Sequence, residues 1–197
     1  MLACSSVAHA GYVLIGFVGL SRAQMLGAES IAYYLVAYAL MSLGIFVLVS
    51  QVEGKGETNL TFDSYRGLGL RRPLIGILGS VLLLSLAGIP PFAGFWGKYS
   101  IFAVAVKNGF VGLAVIGAVN SVVSAYYYFR LMVSMYMRES DTQETVSYSR
   151  SPLATFAMLL CAFCLLWFGV GPASIMWGIP SVNALWDAIR TGVQALG

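Results

Sequence analysis

The stretch LAGIPPFAGFWGKY, residues 86–99, decides the fold of this chain. It lies inside an apolar segment running from about residue 74 to residue 106, which as one helix would be about 50 Å long. The hydrocarbon core of a bilayer is only about 30 Å thick. Glycines accept unusual dihedral angles and prolines remove backbone donors, so this segment is predicted to be broken between residues 88 and 94. The residues predicted to form this helix break are Gly88, Pro90, Pro91 and Gly94.

Lys98 follows the predicted break and lies well inside the same apolar segment. A charged side chain at the centre of a membrane helix costs about 2.5–3.5 kcal/mol on insertion scales and usually marks an ion or proton path. Discontinuous helices also build ion sites in transporters. We therefore predict that Lys98 takes part in proton transfer. The alternative is a long side chain that reaches the membrane interface.

The composition predicts an all-α integral membrane protein. Hydrophobic residues make up 59% of the chain, charged residues make up 10%, and the mean hydropathy is +0.83. No basic cluster interleaved with aromatic residues indicates nucleic-acid binding. Residues 1–180 are predicted to form a membrane domain with about five transmembrane helices, the third of them broken. The predicted spans are about residues 3–20, 31–51, 74–106, 110–137 and 152–179.

Residues 181–197 show the spacing of an amphipathic helix. Such a helix either lies on the membrane surface or docks against a neighbouring subunit, and the sequence is compatible with both.

The basic residues predict the orientation of the five spans. Seven of them fall on the side of the amino end and three on the other side, which favours the first side as cytoplasmic. The run YYYFR, residues 126–130, is then interpreted as an aromatic and arginine anchor at the cytoplasmic interface. The seven are Lys55, Arg66, Arg71, Arg72, Arg130, Arg138 and Arg150, and the three are Arg22, Lys107 and Arg190.

His9 is the only histidine and lies in the first predicted span. Because histidine titrates near neutral pH, it suits a proton relay, although a packed and hydrogen-bonded side chain is an equal alternative. No acidic residue lies deep in any predicted span, so a carboxylate partner is expected from outside this chain's membrane core. Cys161 and Cys164 have no second cysteine pair, which favours packing, and neither a metal site nor a cofactor site is predicted.

Four stretches carry a resemblance to a known family. They are MLACSSVAHAGY at residues 1–12, FDSYRGL at 62–68, the stretch at 86–99, and SAYYYFRL at 124–131. In these motifs the chain resembles the antiporter-like membrane subunits of proton-pumping NADH:quinone oxidoreductase, and in particular the carboxyl-terminal part of subunit N. The resemblance covers almost the whole chain.

The resemblance implies a proton half-channel that couples electron transfer from NADH to quinone with proton pumping. Lys98 matches the lysine on the broken helix and His9 matches a histidine on the proton route. Flavin and iron–sulfur clusters are then expected in partner subunits, with no redox site in this chain. The implied partners are protons, the lipid bilayer, the other membrane subunits and the missing amino-terminal part of the same subunit.

The resemblance also implies a bacterial inner membrane as the location. Family members have about fourteen helices, so this chain looks like the last five. We expect a fragment that arises from a split gene, a truncated gene model or a partial sequence. Two alternatives remain. One is a subunit of a stand-alone cation/proton antiporter, and the other is a structural remnant that conducts no protons.

Overall fold

A computed structural model describes residues 2–19, 24–52, 62–137 and 151–175, together with four positions near the carboxyl end. The described residues form helices and no strand, which confirms the all-α class. The helices are α1 Leu2–Gly19, α2 Gln24–Val52, α3 Leu68–Arg71, α4 Pro73–Ala87, α5 Ala93–Lys107, α6 Val111–Met137 and α7 Pro152–Ile175, and a 3-10 turn covers Phe62–Tyr65.

Three helices in the described ranges are long and apolar enough to cross a membrane. These spans are Gly27–Val52, Val111–Met137 and Pro152–Val170. Two further apolar helices, Leu2–Val18 and Pro73–Ala87, are shorter. The helix break explains the second of these, because it divides one long apolar segment into two short halves. The membrane character of the chain is supported, whereas the count of five spans stays a prediction.

The helices enclose two apolar cores on either side of α2. The larger core is formed by α2, α4, α6 and α7, and it includes Met41, Leu82 and Met135. The smaller core is formed by α1, α2, α5 and α6 around Tyr12 and Ile101. Helix α2 therefore contacts both halves of the broken helix as well as α1 and α7.

The break between α4 and α5 falls where the sequence predicts it. Gly88 ends α4 in the left-handed region, with φ +82 and ψ 46, and its N–H donates to the carbonyls of Leu84 and Ser85. The Pro90–Pro91 peptide bond is cis, and α5 begins at Ala93.

The role predicted for Gly94 needs a correction. Its φ is not positive, and it lies within the first turn of α5. Its small size is what matters, because a Cβ there would overlap the carbonyl oxygen of Ser85. The Gly94 N–H also donates to Ser85 Oγ at 3.3 Å, so the end of α4 holds the start of α5.

Helix α2 extends further toward the amino end than the predicted second span. Helix α2 begins at Gln24 rather than at residue 31, because good helix formers such as Gln, Met, Leu, Ala and Glu extend it into a more polar stretch. Glu29 consequently lies within the candidate span and is buried.

The predicted surface helix at 181–197 lies outside the described residues, apart from Ile189, Thr191, Gly192 and Gln194.

Candidate functional site

Lys98 is buried, with 4% of its surface exposed, and it is the sixth residue of α5. Its ammonium nitrogen donates to the carbonyl oxygens of Leu86 at 2.8 Å and Ala87 at 3.3 Å. It also donates to Ser121 Oγ of α6 at 3.0 Å. The ammonium therefore has three oxygen acceptors inside the fold and is shielded from the protein surface.

The two prolines explain why those carbonyls are free to accept. In an α-helix the carbonyl of residue i accepts from the N–H of residue i+4. The partners of the Leu86 and Ala87 carbonyls would be residues 90 and 91, and both are prolines, which have no N–H. Lys98 thus supplies the two donors that Pro90 and Pro91 lack, and one sequence feature creates both the break and the lysine's binding site.

Gly88 makes room for this lysine. A Cβ at Gly88 would lie 3.1 Å from both Cδ and Nζ of Lys98. The positive φ at Gly88 also disfavours any residue with a side chain. The helix break and the position of Lys98 are therefore fixed by the same short stretch of chain.

His9 is buried on α1 between hydroxyl groups of two other helices. Its Nδ1 is hydrogen-bonded to the Tyr34 hydroxyl of α2 at 2.5 Å, and its Nε2 to the Tyr128 hydroxyl of α6 at 3.3 Å. The Tyr38 ring stacks on the imidazole with centroids 4.6 Å apart. Because a phenol both donates and accepts, His9 keeps hydrogen-bond partners whether it is neutral or protonated.

Tyr12 of α1 connects Lys98 with His9. Its ring meets the His9 ring edge-on, with centroids 5.7 Å apart. The same ring centroid lies 5.4 Å from Lys98 Nζ, within the range of a cation–π contact. Asn120 of α6 donates to the Tyr12 hydroxyl at 3.4 Å. The structure therefore brings both predicted site residues, Lys98 and His9, into contact with one aromatic ring.

Tyr128 corrects the interpretation of residues 126–130 as an interface anchor. Its side chain is 1% exposed, and its hydroxyl is hydrogen-bonded to Ser5 Oγ as well as to His9. Tyr126, by contrast, is 71% exposed. Because successive helical residues point about 100° apart, neighbouring tyrosines face different surroundings. We call the following set the polar cluster: Ser5, His9, Tyr12, Tyr34, Tyr38, Lys98, Ser121 and Tyr128.

Helical spacing could have identified most of this cluster from the sequence. Ser5, His9 and Tyr12 stand at positions i, i+4 and i+7 on α1, and therefore share one face. Residues 121, 124 and 128 on α6 are Ser, Ser and Tyr at i, i+3 and i+7. Two polar stripes on otherwise apolar helices indicate facing surfaces, since polar side chains avoid lipid.

The cluster consists of side chains that can donate and accept hydrogen bonds. It offers an ammonium, an imidazole and several hydroxyl groups. Within the described ranges, His, Cys, Asp and Glu side chains form no group of three that could hold a metal ion. Glu29 is a buried acid near the amino end of α2, just before the predicted start of the second span.

A comparison with known protein families agrees with this architecture. Residues 1–124 match the family model for the transmembrane region described as "NADH:quinone oxidoreductase/Mrp antiporter, TM". The chain belongs to this family. The matched region contains α1, α2, the helix break, Lys98 and the first half of α6.

Curated relatives carry the name NADH-quinone oxidoreductase subunit N. The chain is 39% identical over 176 residues to subunit N 1 of Solibacter usitatus and 42% identical over 177 residues to subunit N of Geobacter metallireducens. Each alignment covers 89% of this chain but only 36% of the relative. The chain therefore spans about a third of the length of these relatives and matches their carboxyl-terminal part.

Solved structures share the fold. A chain of respiratory complex I from Thermus thermophilus with bound aureothin superposes with a TM-score of 0.66 at 28% identity, covering 87% of this chain and 44% of that one. A chain of the Mrp complex from Dietzia sp. DQ12-45-1b gives a TM-score of 0.71 at 18% identity, covering 96% of this chain and 41% of that one. The second likeness concerns the fold alone.

Proposed function

We propose that this chain is part of a proton-translocating membrane subunit of an NADH:quinone oxidoreductase, in which Lys98 and His9 exchange protons. The observation that carries the proposal is the buried contact of both residues with Tyr12, next to the helix break. The names of the curated relatives support the enzyme complex. Electron transfer itself belongs to other subunits, which hold the flavin and the iron–sulfur clusters.

The burial of Lys98 supports a role in transport. A side chain in the hydrocarbon region that carries charge is costly, and a chain keeps one when it serves an ion or proton path. Lys98 has two backbone carbonyls and one hydroxyl as partners, which can hold the ammonium and can accept hydrogen bonds again after a proton has left and returned. The half-channel is therefore centred on Lys98.

The membrane arrangement follows from the same proposal. Helices α1, α2, α6 and α7 each cross the bilayer, and α4 and α5 together form a fifth, interrupted span. Residues 1–180 then form the membrane domain and residues 181–197 a surface helix. The subunit lies in the inner membrane of a bacterium, beside other membrane subunits and the remaining part of its own chain.

The test uses the complete complex in sealed membrane vesicles. Lys98→Ala is expected to lower NADH-driven proton pumping by at least about tenfold, because a positioned proton-transfer group contributes at least that much. Reduction of an artificial electron acceptor by NADH should stay normal. Lys107→Ala is the matched control, since Lys107 ends the same helix and is exposed. Normal pumping in Lys98→Ala vesicles contradicts the proposal.

A second candidate is a subunit of a stand-alone cation/proton antiporter. The family description names Mrp antiporters, and a chain of the Dietzia Mrp complex has the same fold. This candidate predicts sodium-dependent proton exchange in vesicles that lack NADH oxidation. Proton pumping that requires NADH, and that is lost in Lys98→Ala, favours the oxidoreductase instead.

A further inference from the structure

We propose that the hydroxyl groups of Tyr128 and Ser5 pass protons between His9 and water in a cavity at the amino end of α1. This inference rests on the proposed function and adds a route to it. It assigns a role to Ser5 and Tyr128, for which the family resemblance implies none.

The cavity lies where α1, α2 and α4 meet. Its volume is about 240 Å³, enough for several water molecules. Four of its nine lining residues carry a hydroxyl group and the other five are apolar, so water in the cavity would be held on the hydroxyl-bearing side. The hydroxyl-bearing residues are Ser5, Ser6, Tyr38 and Ser42.

Ser5 lines the cavity and also belongs to the polar cluster. It lies one helical turn before His9 on α1, so both side chains point to the same face. Its hydroxyl is hydrogen-bonded to the hydroxyl of Tyr128, which in turn lies 3.3 Å from His9 Nε2. The sequence of contacts runs without interruption from the imidazole to the cavity wall.

Leu86 places the same cavity beside the lysine. Leu86 lines the cavity, and the carbonyl oxygen of Leu86 accepts a hydrogen bond from Lys98. The cavity therefore adjoins both halves of the cluster, although the hydroxyl contacts lead to His9. Because the hydroxyl contacts from the cavity wall lead through Tyr128 to His9, His9 is the group that exchanges protons with the cavity water.

The transfer balances without any further reactant. Protonated His9 gives its Nε2 proton to the Tyr128 oxygen, and Tyr128 gives its own hydroxyl proton to the Ser5 oxygen. Ser5 then gives its hydroxyl proton to a cavity water, which leaves as hydronium. One N–H bond breaks, O–H bonds are exchanged along the way, and no electrons change hands. Rotation of the two hydroxyl groups restores the starting arrangement.

The first test measures NADH-driven proton pumping by the complete complex in proteoliposomes. Ser5→Ala and Tyr128→Phe each remove one hydroxyl and are expected to lower pumping by about tenfold. Ser5→Thr keeps a hydroxyl and should restore most of the activity. The matched controls are Ser80→Ala and Tyr136→Phe, since these residues form another Ser–Tyr pair on α4 and α6.

The outcomes separate this inference from the proposed function. Normal pumping in Ser5→Ala and Tyr128→Phe overturns the inference, and so does an equal loss in the two control variants. If Lys98→Ala is impaired while Ser5→Ala and Tyr128→Phe pump normally, the proposed function stands and only this route fails. If Lys98→Ala also pumps normally, the proposed function fails with it.

A second test examines the cavity without depending on pumping. In the assembled complex, Ser42→Cys is treated with a small charged thiol reagent, and peptide mass spectrometry reports the label at residue 42. Reaction is expected because Ser42 lines the cavity. Ser80→Cys serves as the control and should stay unlabelled, since Ser80 Oγ donates to the Gly76 carbonyl of its own helix and to the Tyr136 hydroxyl of α6. Absence of label at residue 42 from both sides of the membrane overturns the inference.

Discussion

Two tyrosines of α6 each form a hydrogen bond with a serine of another helix. The two serine–tyrosine pairs have the same chemistry but different surroundings. Tyr128 pairs with Ser5 of α1 and also contacts His9. Tyr136, two turns further along α6, pairs with Ser80 of α4 at 3.2 Å. In the first pair the serine lines a cavity and the tyrosine reaches an imidazole. In the second, Ser80 Oγ donates to the Gly76 carbonyl of its own helix.

The two pairs differ in what surrounds the hydroxyl groups, and the proposed proton route depends on that difference. Ser5 of the Tyr128 pair lines the same cavity as Leu86, whose carbonyl, like that of Ala87, accepts a hydrogen bond from Lys98. The Tyr136 pair lies against an unbroken stretch of α4, and a Cβ at Gly76 would lie 3.1 Å from the Tyr136 hydroxyl. A titratable neighbour, His9, therefore distinguishes the Tyr128 pair, which the proposal places on the proton route, from the Tyr136 pair, which we call the packing pair.

Removing the titratable neighbour should produce the largest effect. His9→Gln keeps an acceptor and donors near Tyr34 and Tyr128 but cannot take up a proton. The Tyr128 pair then becomes equivalent to the Tyr136 pair. We expect NADH-driven proton pumping by the complete complex to fall by about tenfold while the amount of assembled complex is unchanged. Full pumping in this variant would show that the imidazole has only a packing role.

Restoring a backbone donor at the break should produce an intermediate effect. Pro90→Ala introduces an N–H that competes with Lys98 for the Leu86 carbonyl. Because one hydrogen bond to a charged group is worth about 1.5–3 kcal/mol, weakening it should lower pumping by about three- to tenfold.

The matched control for the break is Pro73→Ala. Pro73 is the first residue of α4, where a proline removes no helical hydrogen bond. Both variants are compared in the same vesicles by proton pumping and by NADH oxidation. A loss of pumping of the same size in Pro73→Ala would mean that helix stability, rather than the Leu86 carbonyl, accounts for the effect.

The smallest effect is expected at the packing pair. Tyr136→Phe removes a hydroxyl that contacts Ser80, so it should cost about 1 kcal/mol of stability and leave pumping unchanged. Thermal unfolding of the purified complex measures the first quantity, and vesicle assays measure the second. A strong pumping defect in this variant would contradict the proposal that only the Tyr128 pair takes part in proton transfer.

The helix break was predictable from the sequence because its physics is local. The combination of Gly88 with two prolines cannot continue a helix, and it also determines which carbonyls lose their donors. Lys98 and His9 could be singled out for similar reasons, since each is an unusual residue for an apolar segment. The all-α class followed from composition and from the lengths of the apolar segments.

The hydroxyl partners were not predicted because they depend on how helices rotate against one another. Tyr128 looked like an interface residue within the YYYFR run, and only the packing of α6 against α1 places it beside Ser5. Glu29 was missed because hydropathy places a span boundary where apolar residues begin, whereas the helix begins earlier. The polar positions that recur along one face of α1 and one face of α6 indicated these partners. The sequence alone does not say that these two helices face each other.

The most direct test of the central claim is the number of protons pumped per NADH oxidised by the complex with Lys98→Arg. Arginine keeps a positive charge and donors for the carbonyls of Leu86 and Ala87, but it does not release its proton in a protein. If Lys98 exchanges protons, the ratio should fall sharply while electron input from NADH continues. A ratio equal to that of the unmodified complex would show that Lys98 only holds the broken helix together, and would contradict the account.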